Sequence, residues 1–423
     1  MIKNCILIIL LFSVVSCRKH YDVQIPDTRW DLFEAASLVP LPQNTRIKSE
    51  GVYSIGEGSD MFGSLTALKW TYNANGADTT YYLSMFCQKD VSYFILQGRR
   101  QDSTILLNGY WRKMSSTATG KARFTIASNK GGTYLLSGAT STTDSLVISG
   151  LYGSGDAVPG NTIRLSYLRP LYNAKPLEMV VHRGGGQTAD LLPASENTAE
   201  IIQYASRFGA TGIEIDVHLT KDGVPVLFHD VDLSERLIVK NGMVGPIENY
   251  TYAQLNDLVR LIRNGEHIPT LRQAMDAMVY KTPLDYVWWD TKNASSVPLL
   301  RQIQQEYLQK AAAIGRHVEI TIGIPDQAVL TSFLAMPDHQ NVPSVCELDP
   351  QYVEQANSLI WGPRWTLGLQ SDKVAAMHAQ GRKVFVWTLD IPENMDLYMK
   401  QGNFDGILTD YPSALAYLFY VQQ

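Results

Sequence analysis

Cysteine, basic runs and long hydrophobic segments are all scarce in this chain of 423 residues. Its four cysteines, Cys5, Cys17, Cys87 and Cys346, form no CxxC pattern, which excludes a metal site of that kind. No long basic run accompanies the net charge of −5, so nothing in the sequence attracts nucleic acid in general. A Gly-rich nucleotide fingerprint is also missing. The remaining composition, 45% hydrophobic and 18% charged, is ordinary for globular proteins and long enough for two domains.

The first 17 residues differ from the rest. Lys3 precedes an apolar run from Ile6 to Val15, which is too short for a permanent membrane helix and typical of a signal peptide. It ends in Val14-Val15-Ser16-Cys17, which resembles the bacterial lipobox, whose cysteine is lipidated and becomes the mature N-terminus. We therefore expect residues 1–17 to be a lipoprotein signal peptide and Cys17 to carry a lipid. The protein would then be anchored in a bacterial cell envelope, on the periplasmic side or the outer surface. The alternative is an ordinary signal peptide with a chance cysteine.

A charged, proline-containing stretch, residues 18–45, is typical of a tether. Residues 46–170 then contain short segments of β-branched and aromatic residues, separated by turn sequences such as Asn73-Ala74-Asn75-Gly76. This spacing predicts an all-β accessory domain, either a sandwich or a small barrel. No catalytic constellation is found within it.

Residues 176–423 alternate short apolar runs with longer helical patterns, which indicates a parallel α/β domain. Its length and strand count favour a (β/α)8 barrel, with a doubly wound sheet as the alternative. We expect this domain to fold by itself, because a barrel carries its own core. The predicted strands are Met179–His182, Gly212–Val217, Pro225–His229, Leu284–Asp290, His317–Ile322, Ser344–Glu347, Lys383–Thr388 and Gly406–Thr409. The predicted helices include Thr198–Phe208, Leu271–Val279, Val297–Ala313, Asp372–Ala379 and Asn394–Gln401.

Ionisable residues collect near the carboxyl ends of four successive predicted strands, the edge where barrels of this class place their active sites. In order, they are His182-Arg183, Glu214 and Asp216, His229-Asp230, and Asp290 with Lys292. Glu214 and Asp216 are two apart on one strand, so their side chains point the same way and repel unless a proton or cation lies between them. With Asp290 as a third oxygen donor, the set predicts a divalent cation, Mg²⁺, Ca²⁺ or Mn²⁺ rather than zinc.

Longer stretches of the sequence resemble the glycerophosphodiester phosphodiesterase family over about residues 178–420. The matching motifs are His182-Arg183-Gly184, Glu196-Asn197-Thr198, Gly212-Ile213-Glu214-Ile215-Asp216-Val217, Leu219-Thr220-Lys221-Asp222-Gly223, Pro225-Val226 with His229-Asp230, Ile268-Pro269-Thr270-Leu271, Val386-Trp387-Thr388 and Asp405-Gly406-Ile407-Leu408-Thr409-Asp410-Tyr411-Pro412. The resemblance implies a (β/α)8 barrel and a phosphoric diester hydrolase. It also implies that His182 and His229 act as general acid and base and that Glu214 and Asp216 bind the cation.

The sequence departs from the family pattern at three places. Asp290-Thr291-Lys292 stands where the family usually has Glu-x-Lys, and the shorter carboxylate leaves the choice between Ca²⁺ and Mg²⁺ open. The loop after His182 carries extra glycines, and the stretch from Val231 to His267 is short.

The predicted reaction is metal-dependent cleavage of a small glycerophosphodiester to an alcohol and glycerol phosphate. Arg183 and Lys292 are expected to stabilise phosphoryl charge, and one histidine to accept a proton while the other donates one. The nucleophile is either water or a neighbouring hydroxyl of the substrate. Supporting roles are expected for Glu196 and Asn197, where Ser195 could instead cap a helix, and for Trp387, which could stack on the glycerol or belong to the core. Asp410 is interpreted as a residue at a helix start.

Two other functions fit the same residues. One is a phospholipase that cleaves lysophospholipids or sphingolipids, because the lipid anchor places the chain beside a membrane. The other is a non-catalytic binding lipoprotein of the cell surface. The oligomeric state is not predicted.

Overall fold

The computed structural model of the protein describes residues 25–114, 116–140 and 145–423. The predicted signal peptide and Cys17 lie outside these residues. The described part of the chain folds as two closed β-barrels, one antiparallel and one parallel. No helix within the described ranges has the length and apolar character needed to cross a membrane. Cys87 and Cys346 are both buried and unpaired.

The N-terminal barrel is an up-and-down barrel, in which each strand pairs with its neighbours in sequence and the last strand returns to the first. Its eight strands, β2 to β9, follow a two-residue strand β1 (Val39–Pro40) and are Gly51–Ile55, Leu65–Asn75, Asp78–Cys87, Ser92–Gln101, Thr104–Lys113, Thr119–Ile126, Val147–Tyr152 and Asn161–Arg169. Its short helices α1 to α3 are Gln43–Ser49, Ser59–Phe62 and Gly132–Leu136. The expected all-β domain is therefore a barrel and not a sandwich.

Side chains fill the interior of this barrel. Along β7, buried residues alternate with partly exposed ones, because successive side chains point to opposite faces of a strand. Phe62 of α2 enters the interior and contacts Phe94 and Trp111, with ring centroids 4.7 and 5.4 Å away. Leu68 and Phe124 belong to the same buried cluster. We therefore describe the interior as a packed core rather than a ligand cavity.

Much of the predicted tether packs against the N-terminal barrel. Phe33 and Leu38 are only 2% and 6% exposed and share a small cluster with Leu106. The guanidinium of Arg99 donates to the Phe33 carbonyl at 3.0 Å, and that of Arg123 lies over the Trp30 ring. From residue 25 onward the chain is thus part of the folded body, whereas the sequence had suggested a tether as far as residue 45.

The C-terminal domain is a (β/α)8 barrel of eight parallel strands. These strands and the antiparallel β12 run in chain order from β10 to β18 as Glu178–Val181, Gly212–Leu219, Pro225–Leu227, Tyr286–Thr291, Glu319–Ile324, Ser344–Cys346, Ile360–Trp361, Lys383–Val386 and Gly406–Thr409. Helices α4 to α12 are Ala199–Ala205, Tyr252–Leu258, Leu271–Lys281, Val297–Ala313, Gln327–Leu334, Pro350–Ala356, Ser371–Ala379, Pro392–Gln401 and Pro412–Tyr420. The parallel strands are buried on both faces, as helix-covered sheets require.

One predicted barrel strand was assigned wrongly. Pro225–His229 gives rise to β12, which pairs antiparallel with the end of β11 and lies outside the parallel set. The sixth parallel strand is instead β16, whose two residues follow the Asn357 turn and were not predicted. The expected count of eight was therefore right, but one member of the set was not.

The two barrels share one hydrophobic core. Tyr93 of β5 packs edge-to-face on Phe208 at 5.4 Å, and Phe86 of β4 stacks with Tyr420 of α12. Gly209 has a φ of +102°, and a Cβ there would lie only 3.0 Å from the Phe86 side chain of the N-terminal barrel. This close apolar contact argues against the expectation that the C-terminal barrel folds by itself.

Candidate active site

Strand register brings the predicted carboxylates together. In the parallel pair β11–β13, Asp216 lies opposite Asp290, and Glu214 lies two residues earlier on the same face of β11. One oxygen of each of Glu214, Asp216 and Asp290 lies within 4.8 Å of the others. Glu214 and Asp216 are 4% and 1% exposed, so their mutual repulsion is poorly screened by solvent.

The charges in this carboxylate cluster perturb one another. Burial, with the charges of Asp216 and Asp290, raises the pKa of Glu214. Burial also acts to raise the pKa of Asp216, but the charges of Lys292, His229 and Arg183 together outweigh burial and lower the pKa. Lys292 Nζ lies 2.8 Å from Asp216 Oδ1 and 2.5 Å from Asp290 Oδ2. The pair Glu214–Asp216 therefore favours one proton or one further cation between its members.

The donor set suits a hard divalent cation. All three ligands are carboxylates, the oxygen donors that Ca²⁺ and Mg²⁺ select. Asp290 Oδ1 is buried and has no hydrogen-bond partner, so this oxygen can still accept a cation. Ca²⁺–oxygen distances are about 2.3 to 2.6 Å, so three oxygens within 4.8 Å of one another can all reach one such ion. The residues present therefore fit the cation that the family resemblance implies.

His182 follows β10 and is held by Asp410. Its Nδ1 lies 2.8 Å from Asp410 Oδ1, while its Nε2 faces the carboxylate cluster, 3.9 Å from Glu214 Oε2. Burial acts to lower the pKa of His182, but the hydrogen bond and charge of Asp410, with the charge of Glu214, outweigh burial and raise the pKa to about 9. Asp410 is buried and also accepts a 2.6 Å hydrogen bond from Gln187.

His229 has a similar arrangement on the other side of the cluster. Its Nδ1 lies 2.9 Å from Asp230 Oδ1, and the Asp230 carboxylate is in turn held by Arg236 and Ser234. Burial lowers the pKa of His229, and the charge of Asp216 only partly opposes this. The pKa values of the two histidines are therefore shifted in opposite directions, although each has Nδ1 against a carboxylate.

An ionic network joins the two histidine regions. Arg183 has a left-handed backbone (φ 53°), and its amide donates to Glu214 Oε2 at 2.8 Å. Its guanidinium donates to Glu196 at 2.8 Å, and its Nε lies 3.4 Å from His182 Nε2. Glu196, 3% exposed, also accepts two hydrogen bonds from Arg236. Since Arg236 binds Asp230 as well, the network runs from His182 to His229.

Asn197 fixes the position of Asp216. Its side-chain amide donates to Asp216 Oδ2 at 2.7 Å, and its side-chain oxygen accepts the Asp216 backbone N–H at 3.0 Å. Both contacts require the left-handed backbone of Asn197 (φ 58°), which asparagine tolerates well. The helix that follows is capped by Thr198, whose hydroxyl accepts from the Ile201 backbone N–H, so the alternative in which Ser195 caps the helix is wrong.

Trp387 forms a separate wall of the barrel mouth. It follows β17, packs against the cluster inside the barrel, and donates from Nε1 to the Gly362 carbonyl at 2.8 Å. The guanidinium of Arg364 lies over its ring, 4.8 Å from the centroid. Glu347 ends β15 beside this wall, and burial with the charges of Asp290 and Glu214 raises the pKa of Glu347 well above its usual range.

The structure brings most predicted site residues into direct contact. The hydrogen-bonded and ion-paired set contains His182, Arg183, Glu196, Asn197, Glu214, Asp216, Asp290 and Lys292. His229 interacts with this set through the charge of Asp216, whereas Trp387 lies on the other wall. Sequence reasoning missed Arg236 and Glu347, and it misread Asp410, which holds His182 and does not cap a helix. A signal existed for Asp410, since it follows the last strand of the barrel at the same edge.

Comparison with known sequences gives one family for the catalytic domain. The Glycerophosphoryl diester phosphodiesterase family matches residues 182–414, which is more than half of the chain. The match begins at His182 and extends beyond Asp410, so it contains both histidine–carboxylate pairs and the carboxylate cluster.

Individual relatives are similar over the same region. A glycerophosphodiester phosphodiesterase of Caldanaerobacter subterraneus subsp. tengcongensis is 25% identical over 56% of this chain and 95% of its own length. Glycerophosphodiester phosphodiesterase 1 of Rattus norvegicus is 38% identical over 25% of this chain, which spans only 33% of the rat protein. Among solved structures, an Oleispira antarctica phosphodiesterase in complex with the product sn-glycerol-3-phosphate is 20% identical, with a TM-score of 0.46 over 57% of this chain and 96% of that one.

Proposed function

Because the chain belongs to the glycerophosphoryl diester phosphodiesterase family and is an enzyme of that phosphoric diester hydrolase class, we propose that it hydrolyses small glycerophosphodiesters to an alcohol and glycerol phosphate. The observation that carries the proposal is the pair of histidines at the barrel mouth. Each has Nδ1 within 2.9 Å of a carboxylate, so each presents Nε2 to the space beside the carboxylate cluster.

Glu214, Asp216 and Asp290 would hold one divalent cation, Ca²⁺ or Mg²⁺. A cation bound there would act as a Lewis acid toward a phosphoryl oxygen. Asn197 keeps Asp216 in place for that purpose through two hydrogen bonds. Lys292 and Arg183 lie on either side of the cluster, where an ammonium and a guanidinium stabilise charge on phosphoryl oxygens.

His182 and His229 would transfer the protons. One ring accepts a proton from the nucleophile, water or a neighbouring substrate hydroxyl, and the other donates one to the departing alcohol. Asp410 and Asp230 fix the ring tautomers by accepting from Nδ1–H, which leaves Nε2 for the substrate side. The ionic network through Glu196 and Arg236 would keep the distance and orientation between the imidazole rings of His182 and His229 fixed.

Cys17 would carry a lipid that holds the enzyme in the bacterial cell envelope. The support is the sequence alone, namely the apolar run and the lipobox-like segment that ends at Cys17.

The test is release of alcohol from a panel of glycerophosphodiesters, with and without EDTA. His182→Ala and His229→Ala should each lose roughly 10²- to 10⁴-fold in kcat, which is the usual contribution of a positioned proton-transfer group. His378→Ala is a matched control, because His378 makes the same kind of 2.8 Å contact with Asp405 away from the site. Full activity in EDTA, or a His229→Ala enzyme as fast as wild type, would contradict the proposal.

One observation favours a lysophospholipid substrate as a second candidate. The segment after His229 exposes bulky apolar side chains, with Val231 and Val244 70% and 72% exposed. Val231 is only two residues from His229, so an acyl chain at the site would lie near it. Comparing turnover of a soluble glycerophosphodiester with that of a lysophospholipid separates the candidates, and a preference for the soluble diester that Val231→Ser leaves unchanged excludes the second.

A further inference from the structure

The N-terminal barrel touches the active-site loop directly. Arg112 is the penultimate residue of β6 and is only 3% exposed. Its guanidinium donates to the carbonyl of Leu191. Leu191 belongs to the loop between Gly185 and Ser195, which connects His182 with Glu196. An arginine of the N-terminal barrel therefore supports a loop of the C-terminal domain, and this loop connects the active-site residues His182 and Glu196.

The rest of this loop packs onto the support of His182. Leu192 is 1% exposed, and its side chain lies against Gly186, where an added Cβ would be 3.2 Å from it and 2.9 Å from the Asp410 carbonyl. Gln187 donates to Asp410 Oδ2 at 2.6 Å, and Asp410 Oδ1 holds His182. A shift of the loop at Leu191 would therefore move Asp410 and alter the hydrogen bond that orients the His182 ring.

The other contacts of the loop come from the C-terminal domain. Thr188 donates its amide to Glu196 and accepts at its carbonyl from Arg263. Glu196 and Arg263 both belong to the C-terminal domain, whereas Arg112 belongs to the N-terminal barrel. The carbonyl of Leu191 lies where the loop is partly buried, and the buried guanidinium of Arg112 supplies it with a charged donor.

We propose that Arg112 is a positioning residue for the phosphodiesterase reaction: the N-terminal barrel holds the 185–195 loop through it, and so keeps Gln187 and Asp410 in the arrangement that orients His182. This inference rests on the proposed function of the same site. It assigns the accessory barrel a part in building the catalytic centre.

The test compares Arg112→Met with Arg99→Met in the full-length protein. Arg99 is a matched control, because its guanidinium also donates to a backbone carbonyl, that of Phe33, but on the N-terminal arm. Arg112→Met should lower kcat about 10- to 100-fold with little change in KM, since small misplacements of catalytic groups act on the rate of the chemical step. Arg99→Met should keep the wild-type kcat. Arg112→Lys, which retains a charged donor, should recover part of the loss.

Hydrogen–deuterium exchange gives a readout that does not need activity. Peptides covering residues 185–195 should exchange faster in Arg112→Met than in wild type or Arg99→Met. If Arg112→Met does not accumulate as folded protein, Arg112→Gln takes its place in the same comparison. Wild-type protein without turnover would contradict the proposed function. An active wild type beside a folded Arg112→Met or Arg112→Gln variant with unchanged kcat and unchanged loop exchange would overturn only the role of Arg112.

Discussion

Asp410 Oδ1 lies 2.8 Å from His182 Nδ1, and strand register alone brings the two residues together. Strands β10 and β18 are parallel neighbours in which Val181 pairs with Thr409. His182 and Asp410 are the next residues on each strand, so they leave the barrel side by side. The contact closes the barrel at the same place where its first and last strands meet.

Asp410→Asn should lower kcat by roughly 10²-fold while the affinity for the divalent cation changes little. An amide can keep the shape of the contact, but it no longer favours the tautomer with the proton on Nδ1 or stabilises a charged ring. Steady-state kinetics and cation titration measure the two effects. Asp405→Asn, which alters the His378 pair, is the control and should keep the wild-type kcat per folded molecule; equal rates for Asp410→Asn and wild type would contradict the prediction.

Glu214→Gln should weaken cation binding by at least about 10-fold, because it removes one anionic oxygen from a three-carboxylate set. Excess Ca²⁺ or Mg²⁺ should restore part of the lost activity. Asp290→Glu should retain activity and change the preference between these ions, since the longer side chain alters the size of the site. Isothermal titration with each ion measures this, and affinity in Glu214→Gln equal to wild type would remove Glu214 from the ligand set.

Glu178 should make the protein less stable as the pH rises from about 5 to 7. Burial, with the charge of Asp285, raises the pKa of Glu178 from 4.5 to about 7. Between these values the folded state holds more protons than the unfolded state, so the free energy of unfolding falls with rising pH, by up to about 3 kcal/mol. Glu178→Gln should abolish this loss and raise stability at pH 8 but not at pH 4. Urea unfolding at both pH values checks this, and an equal effect at both would be inconsistent with it.

A fragment that begins at Lys175 should be poorly soluble, or should melt roughly 10 °C or more below the full-length protein. Removing the N-terminal barrel would expose the apolar surface around Phe208 and Tyr420, which Tyr93 and Phe86 of that barrel cover. Thermal melting and gel filtration of fragment and full-length protein measure the effect. A monomeric fragment with the full-length melting temperature and kcat would show that the C-terminal barrel is independent after all.

Cys17→Ser should release the protein from the membrane fraction or block its processing, if the lipobox-like segment directs lipidation. Detergent partitioning and mass analysis of the N-terminus measure this, with Cys87→Ser as the control that keeps the wild-type distribution. Native protein that is wholly soluble and carries an unmodified N-terminus would exclude the anchor.

The sequence predicted which carboxylates lie together at the strand ends better than it predicted the strands themselves. Glu214, Asp216 and Asp290 were found because their spacing on strands decides which way they point, and this follows from backbone geometry alone. Ile360–Trp361 was not found because two residues are too few to show a periodic pattern. Pro225–His229 has the composition of a barrel strand, and only its antiparallel pairing with β11 shows that it is a hairpin arm.

Contacts between distant segments were beyond the reach of the sequence. Arg236 looks like a surface residue, with its side chain 37% exposed, yet it binds both Glu196 and Asp230. Nothing local distinguishes Arg112 from the other arginines of its barrel, because its partner is a backbone carbonyl 79 residues away. Such residues take their roles from tertiary packing, which a single sequence does not encode in any short pattern.

If Cys17 carries a lipid, the packing of the N-terminal arm limits how far the enzyme can lie from the membrane. Eight peptide units separate Cys17 from Ile25, the first residue that the structure describes, and even a fully extended chain of that length spans at most about 29 Å. In a lipidated molecule, the linker between the membrane and the described part of the chain would therefore be shorter than the thickness of one bilayer with its headgroups. It would sample a thin layer of solution at the membrane surface, so substrates released there would meet the enzyme far more often than those in the bulk.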